Sequence, residues 1–533
     1  MTNGLVTIRF DRNGDAYSLA KGTRELLSSG GKIYLSYNTE SYRRPKPDSL
    51  KVLRAGSNAT EIVYLSSEYE FDVELHYIML RGVSGVYCYV VMKNSRGGAL
   101  TLVQLNLTMR VDYNIFNYAY TRERQGPMIS PAQLRAAVQI QDATYMLKDG
   151  TVYTKYDWAA YEAEENVHGL CGNNYGVWVI SASKEYANGG PLKQELMVHG
   201  TDTTPVILEL LQGTHFGAGA AVVPAGWQKL YGPFLMYVNT GTNEGMIADA
   251  LSEAGREEAQ WPYQWMDHPL YPLERATVTG RFNIAHGNPA AGMTVILGKA
   301  DGETYLQGKD YMFWARTDEN GRFSIPRVRP GGYTLYAYAT DGALTDEFRK
   351  DDITVGGNPI TDLGDLDWQP PAHAHLLWSI GKADRMSGEF KFGGLARQYG
   401  LWEKVPADLT FNIGGSLESE DWYYAQTKTG IWDIVFNLDR AYPGEGVLTI
   451  AVAGVARGPK LDVIVNGQTV ESFEFDNDPT IYRSALRGGR YRLRTVRFPA
   501  SFLKTGGNKI SLKLKGVGDK GGIMYDMLKL EAD

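Results

Sequence analysis

The sequence predicts an all-β protein, and three observations predict it. Sixty glycines and thirty-four tyrosines punctuate and fill short aromatic and β-branched runs, which is the composition of strands joined by turns. Apolar and polar residues alternate along many of these runs, as in strands with one buried face. No stretch of about 18 apolar residues occurs that would cross a bilayer as a helix. At 533 residues the chain exceeds what one hydrophobic core supports, so about three or four domains are expected.

Residues 1–272 read as a large β-sandwich carrying the chemistry. Residues 71–77 alternate as a half-buried strand. In 103–110 the odd positions are apolar, which puts Gln104, Asn106, Thr108 and Arg110 on the opposite face, lining a cleft or meeting water. Large antiparallel sheets packed face to face are the expected architecture. Residues 249–256 read as a short helix.

The proline-rich stretch 261–272 ends this segment, and residues 273–367 form the next. Asn320-Gly321 between alternating runs predicts a hairpin, and Pro330-Gly331-Gly332 feeds another alternating strand. The unit resembles the small β-sandwich of fibronectin-like and carboxypeptidase-regulatory-like modules. Asp318, Glu319 and Asn320 are types that can ligate calcium, but the turn asks for the same residues. Pro370-Pro371 makes the next break. Residues 368–533, with runs at 432–438, 461–467, 507–512 and 524–530, resemble a jelly-roll module of the carbohydrate-binding kind.

Composition narrows the function classes. A hydrophobic fraction of 43% and a charged fraction of 22% are ordinary for a folded protein. The net charge of −7 argues against a general polyanion binder. Local basic groups remain at Arg43, Arg44 and Lys46, at Arg122 and Arg124, and in 483–497, where Arg490, Arg492 and Arg494 share a strand face that reads first as solvated. Cys88 and Cys171 are far apart in apolar runs and read as buried thiols, not a disulfide framework. The first residues lack a charged region followed by an apolar core, so the chain as written reads as cytoplasmic, or as secreted after loss of a leader.

Lys155 and His215 carry the chemical reading. Lys155 lies in the strand-like run 152–157, where period two groups it with Tyr153 and Asp157; His215 lies in the glycine-flanked turn 211–217. Hydrolysis of a sugar bond needs two carboxyl groups facing each other. An amine base beside a histidine suits a different reaction, in which the acidic C5 proton of a uronic acid is removed and the C4–O bond breaks by elimination. Glu162, Glu164 and Glu165 are the acids a hydrolase would draw on, and no spacing singles them out. His373 and His375 sit beside a linker, and no HExxH helix occurs.

Several motifs then point to one family. They are Leu377-Trp378-Ser379-Ile380-Gly381-Lys382-Ala383-Asp384-Arg385, Glu389-Phe390-Lys391-Phe392, Tyr399-Gly400-Leu401-Trp402 and Asp421-Trp422-Tyr423-Tyr424. Upstream are Val167-His168-Gly169, the run 189–196, Thr214-His215-Phe216-Gly217 and the run 226–233. Together they resemble the rhamnogalacturonan lyases of polysaccharide lyase family 4 over nearly the whole chain. The resemblance implies a galactose mutarotase-like catalytic β-sandwich, a fibronectin III-like domain and a carbohydrate-binding-like jelly roll. It implies cleavage of the rhamnose-α-1,4-galacturonate bond of rhamnogalacturonan I by β-elimination.

By that resemblance Lys155 is the base and His215 the second catalytic group, protonating the departing oxygen or orienting the uronate. Arg110 is the substrate-binding arginine. A further arginine from the third domain falls on Arg483 in preference to Arg487. Arg124 reads equally as a uronate contact or a surface ion pair near Glu123, and His168 equally as a cleft or a structural residue. Trp227 and Lys229 read as packing and capping residues. Leu208 and Leu210 stand where some fungal members carry tyrosines, a departure that bears on substrate contacts.

An arginine fork matches a uronate carboxylate. A free lysine with a pKa of about 10.4 is protonated at neutral pH, so burial or a neighbouring cation is expected to assist, and activity is expected to rise toward alkaline pH. No cofactor is required by this scheme, a structural calcium ion being the one alternative. The expected partner is rhamnogalacturonan I or its oligosaccharides, met by a monomer, with neither nucleic acid nor membrane involved. The rival readings are a non-catalytic carbohydrate-binding protein and a glycoside hydrolase on a similar sandwich.

Overall fold

The computed structural model describes all 533 residues. Nearly every regular element is a strand, as the composition predicts. The chain divides into two units, Met1–Glu274 with Asp301–Met312, and Arg275–Ala300 with Phe313–Asp533.

The first unit is built on two large antiparallel sheets. One runs in the order Val6–Phe10, Ala16–Lys21, Ile33–Asn38, Gln104–Arg110, Pro205–Gln212, Val198–Gly200, with two short strands at its side. The other has nine strands, with Tyr175–Ile180, Gln228–Thr240, Gly85–Lys93 and Asp72–Leu80 adjacent at its centre. Alternation decides the packing. Leu35, Tyr37, Leu105, Leu107 and Met109 from the first sheet meet Val73, Leu75, Tyr77, Cys88, Val90 and Met236 from the second in one core. Along Gly85–Lys93 every residue but the last is buried, because the nine-stranded sheet is covered on its other side too. There the helix Asn243–Gln260 presents Met246, Ala250 and Ala254 to Trp178, Tyr87 and Tyr237. The spacing of four places them on one stripe, and the two alanines permit close approach. The helix is longer than the expected 249–256; Thr242 caps it by accepting from the Gly245 N–H.

Residues 301–312 leave the middle of the sequence and pack within this first unit. Trp227 Nε1 donates to the Lys309 carbonyl at 2.8 Å, and the buried Lys229 ammonium donates to the Gly308 and Asp310 carbonyls, each at 2.8 Å. Trp227 and Lys229 thus clamp a loop, the packing and capping role read from the sequence. Asp249 and Asn239 illustrate a second polar clamp: Tyr237 and Asn239 both donate to Asp249 Oδ2.

The second unit contains two sandwiches. In the first, Ala276–Ile284 lies between Arg322–Val328 and Ile360–Trp368, while Thr294–Gly298 and Gly331–Tyr338 centre a four-stranded sheet. Phe282 bridges the two sheets to Phe348, ring centroids 5.1 Å apart. The Asn320-Gly321 turn corrects an expectation. It closes tightly, with Asp318 N–H donating to the Arg322 carbonyl at 2.7 Å, but the strands on its two sides belong to different sheets. A tight turn fixes only the local reversal; which sheet each strand joins is set by the apolar faces. Asp318 Oδ1 accepts from the Asn320 and Arg322 N–H groups at 2.8 Å, so this carboxylate closes the turn.

The second sandwich pairs the sheet of His375–Gly381, Gly522–Ala532, Glu445–Ala456 and Arg492–Pro499 with a five-stranded sheet. Trp422, Trp432 and Tyr525 fill its centre. Arg490 and Arg492 are not a solvated face: both pair with Asp476, and Arg492 also with Asp478 at 2.7 Å, so the strand edge is neutralised from within.

Arg385 ties the two sandwiches of this unit together. Its guanidinium lies 3.7 Å from the Tyr338 ring centroid and 4.5 Å from that of Tyr491, and it donates to Glu347 at 2.9 Å. Removing a buried cation stacked on two rings forfeits both contacts and strips Glu347 of its partner. Arg385→Ala is expected to destabilise this unit by about 2 kcal/mol, read by calorimetry as a lower midpoint; an unchanged midpoint would show that Arg385 does not join the sandwiches.

Candidate active site

The eight-stranded sheet supplies the floor of the candidate site. Because Leu105, Leu107 and Met109 face the core, Asn106, Thr108 and Arg110 face the other way. The register aligns Tyr34, Thr108 and Leu208 across three strands, and Arg110, Val206 and His199 across the next row. The polar residues on this face are buried and bonded to one another: Ser36 to Asn106 at 3.2 Å, and Asn106 to Thr108 at 2.8 Å. That ladder ends at Arg110, whose guanidinium meets only the hydroxyls of Thr204 at 3.5 Å and Tyr34 at 3.4 Å. No carboxylate of the protein pairs with it.

Lys155 arrives from a small sheet of Val138–Gln141, Thr144–Met146 and Val152–Thr154. The strand stops at Thr154, whose hydroxyl accepts from the Tyr156 N–H at 3.4 Å, and Lys155–Trp158 forms a 3₁₀ turn. The expected period-two grouping of Tyr153, Lys155 and Asp157 therefore does not hold: a threonine side chain competes for the backbone and ends the extended run. The turn packs beside the strand Val198–Gly200, and the Gly200 N–H donates to the Tyr153 hydroxyl at 2.6 Å. This brings Lys155 to the row of Arg110 and His199.

The Lys155 ammonium stands 3.0 Å from Asp142 Oδ2, which also accepts from the Tyr156 hydroxyl at 2.8 Å. Its immediate partner is an anion, where the sequence leads to an expectation of burial or a neighbouring cation; the side chain is 14% exposed. Tyr156, fully buried, is flanked by both candidate catalytic groups. Lys155 Nζ is 5.1 Å from its ring centroid, and the His215 ring centroid is 6.3 Å away.

His215 sits in the turn after the strand Pro205–Gln212, and its Nδ1 lies 2.5 Å from Glu195 Oε1. The turn is braced from two sides. Asn188 donates to the Gly213 and Gly219 carbonyls at 2.7 and 2.8 Å, and Tyr305, from the 301–312 segment, donates to the Phe216 carbonyl at 2.8 Å.

His199, which the sequence reading missed, reports how these groups converge. Burial pushes its imidazole down to about 4, with smaller contributions in the same direction from Lys155, Arg110 and His215. It is therefore neutral across the usual working range. Only the alternation Met197-Val198-His199-Gly200 hints at it, by placing a polar ring on the non-core face. Asp142 and Tyr156 were missed as well: Tyr156 adjoins Lys155 in the run 152–157, while Asp142 lies in no singled-out motif and meets Lys155 only after the chain turns.

The remaining candidates separate. Arg124 stacks over Trp158 at 5.0 Å, donates to the Asp157 carbonyl at 3.3 Å and lies 3.9 Å from the Asp157 carboxylate. His168 is 1% exposed, and its Nε2 lies 2.6 Å from the Leu208 carbonyl; burial pushes the ring down to about 4, so it is a neutral interior donor outside the cluster. Arg483 and Arg487 belong to the second unit. Arg483 ends the 3₁₀ turn Ile481–Arg483, while Arg487 accepts the Ser387 N–H at its carbonyl, at 2.6 Å. Among the basic groups near the N-terminus, Arg43 pairs with Glu70 and Lys46 with Glu68, each at 2.8 Å.

The acidic stretch 162–165 is a turn in which Glu164 is exposed while Glu162 and Glu165 are buried. Glu162 is buried between Lys193 at 3.2 Å and Lys184 at 3.5 Å, and Lys184 reaches Glu209 at 3.0 Å. Glu165 accepts the Arg122 N–H at 2.8 Å, and burial pushes its carboxyl up to about 8. The folded protein thus holds this proton after the unfolded chain, near pH 4.3, has released it. Its contribution to stability is present at acid pH and is lost as pH rises from there to about 8. Glu165→Gln is expected to match the parent near pH 4 and to exceed it by a few kcal/mol near pH 8, measured by denaturant unfolding at both values. Equal stability of the two proteins at both pH values would exclude a buried proton at Glu165.

One group elsewhere has metal-ligating types: Glu74, His76 and His268, with ligand atoms within 4.8 Å. The Leu270 N–H donates to His268 Nδ1 at 3.1 Å, which places the neutral ring's proton on Nε2, 3.7 Å from Glu74. His268, His76 and Lys93 together hold the Glu74 carboxyl well below the usual range. The group is a hydrogen-bonded carboxylate.

Comparison with known proteins gives a consistent picture. The family described as polysaccharide lyase family 4, domain II, matches residues 286–362, and domain III of the same family matches residues 376–530. A rhamnogalacturonate lyase of Dickeya dadantii is 39% identical over 99% of this chain and 92% of its own. Rhamnogalacturonate lyase B of Emericella nidulans is 26% identical over 81% of this chain and 77% of its own. Among solved structures, a galactose mutarotase-like protein of Lactobacillus casei aligns with 45% of this chain and 99% of its own, at 11% identity and a TM-score of 0.30.

Proposed function

The chain belongs to polysaccharide lyase family 4, and from that membership we propose that it cleaves the rhamnose-α-1,4-galacturonate bond of rhamnogalacturonan I by β-elimination. It is an enzyme of the rhamnogalacturonan lyase type; the bond and the mechanism are our reading. The observation that carries it is the placement of Lys155 and His215 against the one buried Tyr156 ring, with Arg110 on the polar sheet face lacking a carboxylate partner.

A carbon acid beside a carboxylate is weak, because ionisation adds a second negative charge to the same group. Arg110 would pair with the uronate carboxylate and stabilise the enolate-like transition state. Lys155, as the free amine, would take the C5 proton. The C5–H electron pair becomes the C4=C5 double bond, the C4–O bond breaks, and the departing rhamnosyl-linked oxygen takes a proton from His215. One proton is removed and one delivered, so the enzyme resets by exchange with water. Because the amine reacts unprotonated, turnover is expected to increase toward alkaline pH. The scheme uses side chains alone.

Incubation with de-branched rhamnogalacturonan I and, separately, with homogalacturonan, while following ultraviolet absorbance of the new double bond, tests this directly. Absorbance is expected to grow with rhamnogalacturonan I. Growth with homogalacturonan only would refute the substrate, and new reducing ends without absorbance would refute elimination in favour of hydrolysis.

A further inference from the structure

We infer that Glu195 is the positioning residue of the site, holding His215 by Nδ1 so that Nε2, on the opposite edge of the ring, serves as proton donor to the leaving oxygen. The inference rests on the elimination proposed above. Glu195 is fully buried on the strand Gln194–Leu196, where its backbone pairs with Ala160. Oε1 lies 2.5 Å from His215 Nδ1 and accepts the Leu196 N–H at 3.1 Å. The carboxylate can reach the imidazole only because residue 213 has no side chain. A Cβ on Gly213 would stand 2.1 Å from Glu195 Oε2. The glycine two positions before His215 is therefore the opening through which the acid meets the turn.

Behind Glu195 the buried charges alternate in sign. Lys193 stands beside it and pairs with Glu162, Glu162 also faces Lys184, and Lys184 pairs with Glu209. Burial alone would raise the Glu195 carboxyl, yet His215, Lys193 and the Leu196 N–H together leave it below its ordinary value. The carboxylate is thus an anion buried away from water among these partners. The other titratable groups near the imidazole are Tyr156, its ring centroid 6.3 Å away, Lys155 5.1 Å from that same Tyr156 ring, and His199. A carboxylate fixed on Nδ1 keeps a proton on that nitrogen and sets the ring's orientation, which leaves Nε2 to exchange its proton with the substrate.

The test compares wild type, Glu195→Gln, Glu195→Asp and Gly213→Ala on de-branched rhamnogalacturonan I across pH. Loss of the anion is expected to lower kcat in Glu195→Gln by roughly 10²-fold or more, with KM changed less than about threefold and the alkaline limb of the profile moved to lower pH. Glu195→Asp keeps the charge at shorter reach and should recover part of kcat with the wild-type profile. Gly213→Ala should reproduce the Glu195→Gln profile by displacing the acid. Independently of turnover, the downfield Nδ1–H proton signal expected of a carboxylate-bound imidazole should be present in wild type and lost in Glu195→Gln. An inactive wild type that retains this signal would sink the elimination and leave the pairing standing. An active wild type whose profile is unmoved in Glu195→Gln would overturn the inference. Should Glu195→Gln fail to fold, an unchanged kcat and an absent signal in Glu195→Asp would overturn it equally.

Discussion

Replacing Lys155 by methionine is expected to reduce kcat on rhamnogalacturonan I by roughly 10³-fold or more, with oligosaccharide affinity held within a few-fold. Methionine keeps an unbranched stem to lie against the Tyr156 ring and removes only the nitrogen. The partner left behind, Asp142, has a side chain 63% exposed, so water can take the place of the ammonium. It also keeps its bond from the Tyr156 hydroxyl at 2.8 Å. Little stability should therefore be lost, and a fall in turnover can be assigned to chemistry. Product formation followed by ultraviolet absorbance, with binding measured calorimetrically on the same variant, separates the two. Persisting turnover would remove Lys155 as the base.

The second large effect is expected at Arg110. Truncation to alanine should lower kcat/KM by roughly 10³-fold, most of it in kcat, since the guanidinium is worth most when negative charge develops on the uronate. The fold should tolerate the change. Arg110 meets two neutral hydroxyls at 3.4 and 3.5 Å, so no buried anion loses its partner. Arg110→Lys keeps the charge without the fork, and should recover only part of the loss. If Arg110→Ala raised KM and left kcat intact, the arginine would hold the substrate without stabilising the transition state.

The two variants also separate the proton-removal step from carboxylate neutralisation. Because both side chains act on the same uronate in the proposed step, their effects should be coupled, and the double variant should lose less than the two single losses combined. Additive losses would place the two groups in independent roles.

Much of this protein is legible in the amino-acid order alone. Alternation along 103–110 foretells both the core face of Leu105, Leu107 and Met109 and the polar face that ends in Arg110. That signal is local: side chains alternate with a period of two whatever the strand pairs with. Lys155 and His215 are legible through their surrounding motifs, which are short and contiguous. The packing role of Trp227 and Lys229 is legible too, but their partners are not, because those come from residues 308–310.

The misses share one cause. The run through Lys155 reads as a strand, but the Thr154 hydroxyl takes the Tyr156 N–H and turns the chain. The Asn320-Gly321 turn reads as a hairpin, but its arms join different sheets. No spacing singles out the acids at 162 and 165, but Glu162 is met by Lys184 and Lys193 from distant positions. His168 reads equally as a site residue, but the Leu208 carbonyl claims it inside the fold.

Amino-acid order alone carries the strand-dominated architecture, the family and the candidate pair Lys155 and His215, because periodicity and motif are properties of neighbouring residues. Only the tertiary structure decided what those residues work with: Asp142 on Lys155, Glu195 beneath Gly213 on His215, and Tyr305 bracing the turn from a segment far along the chain. Charge partners buried together are chosen by where the sheets bring them. Desolvation then compels each to find an opposite charge or a hydrogen bond from whatever strand lies nearest, irrespective of its distance in sequence.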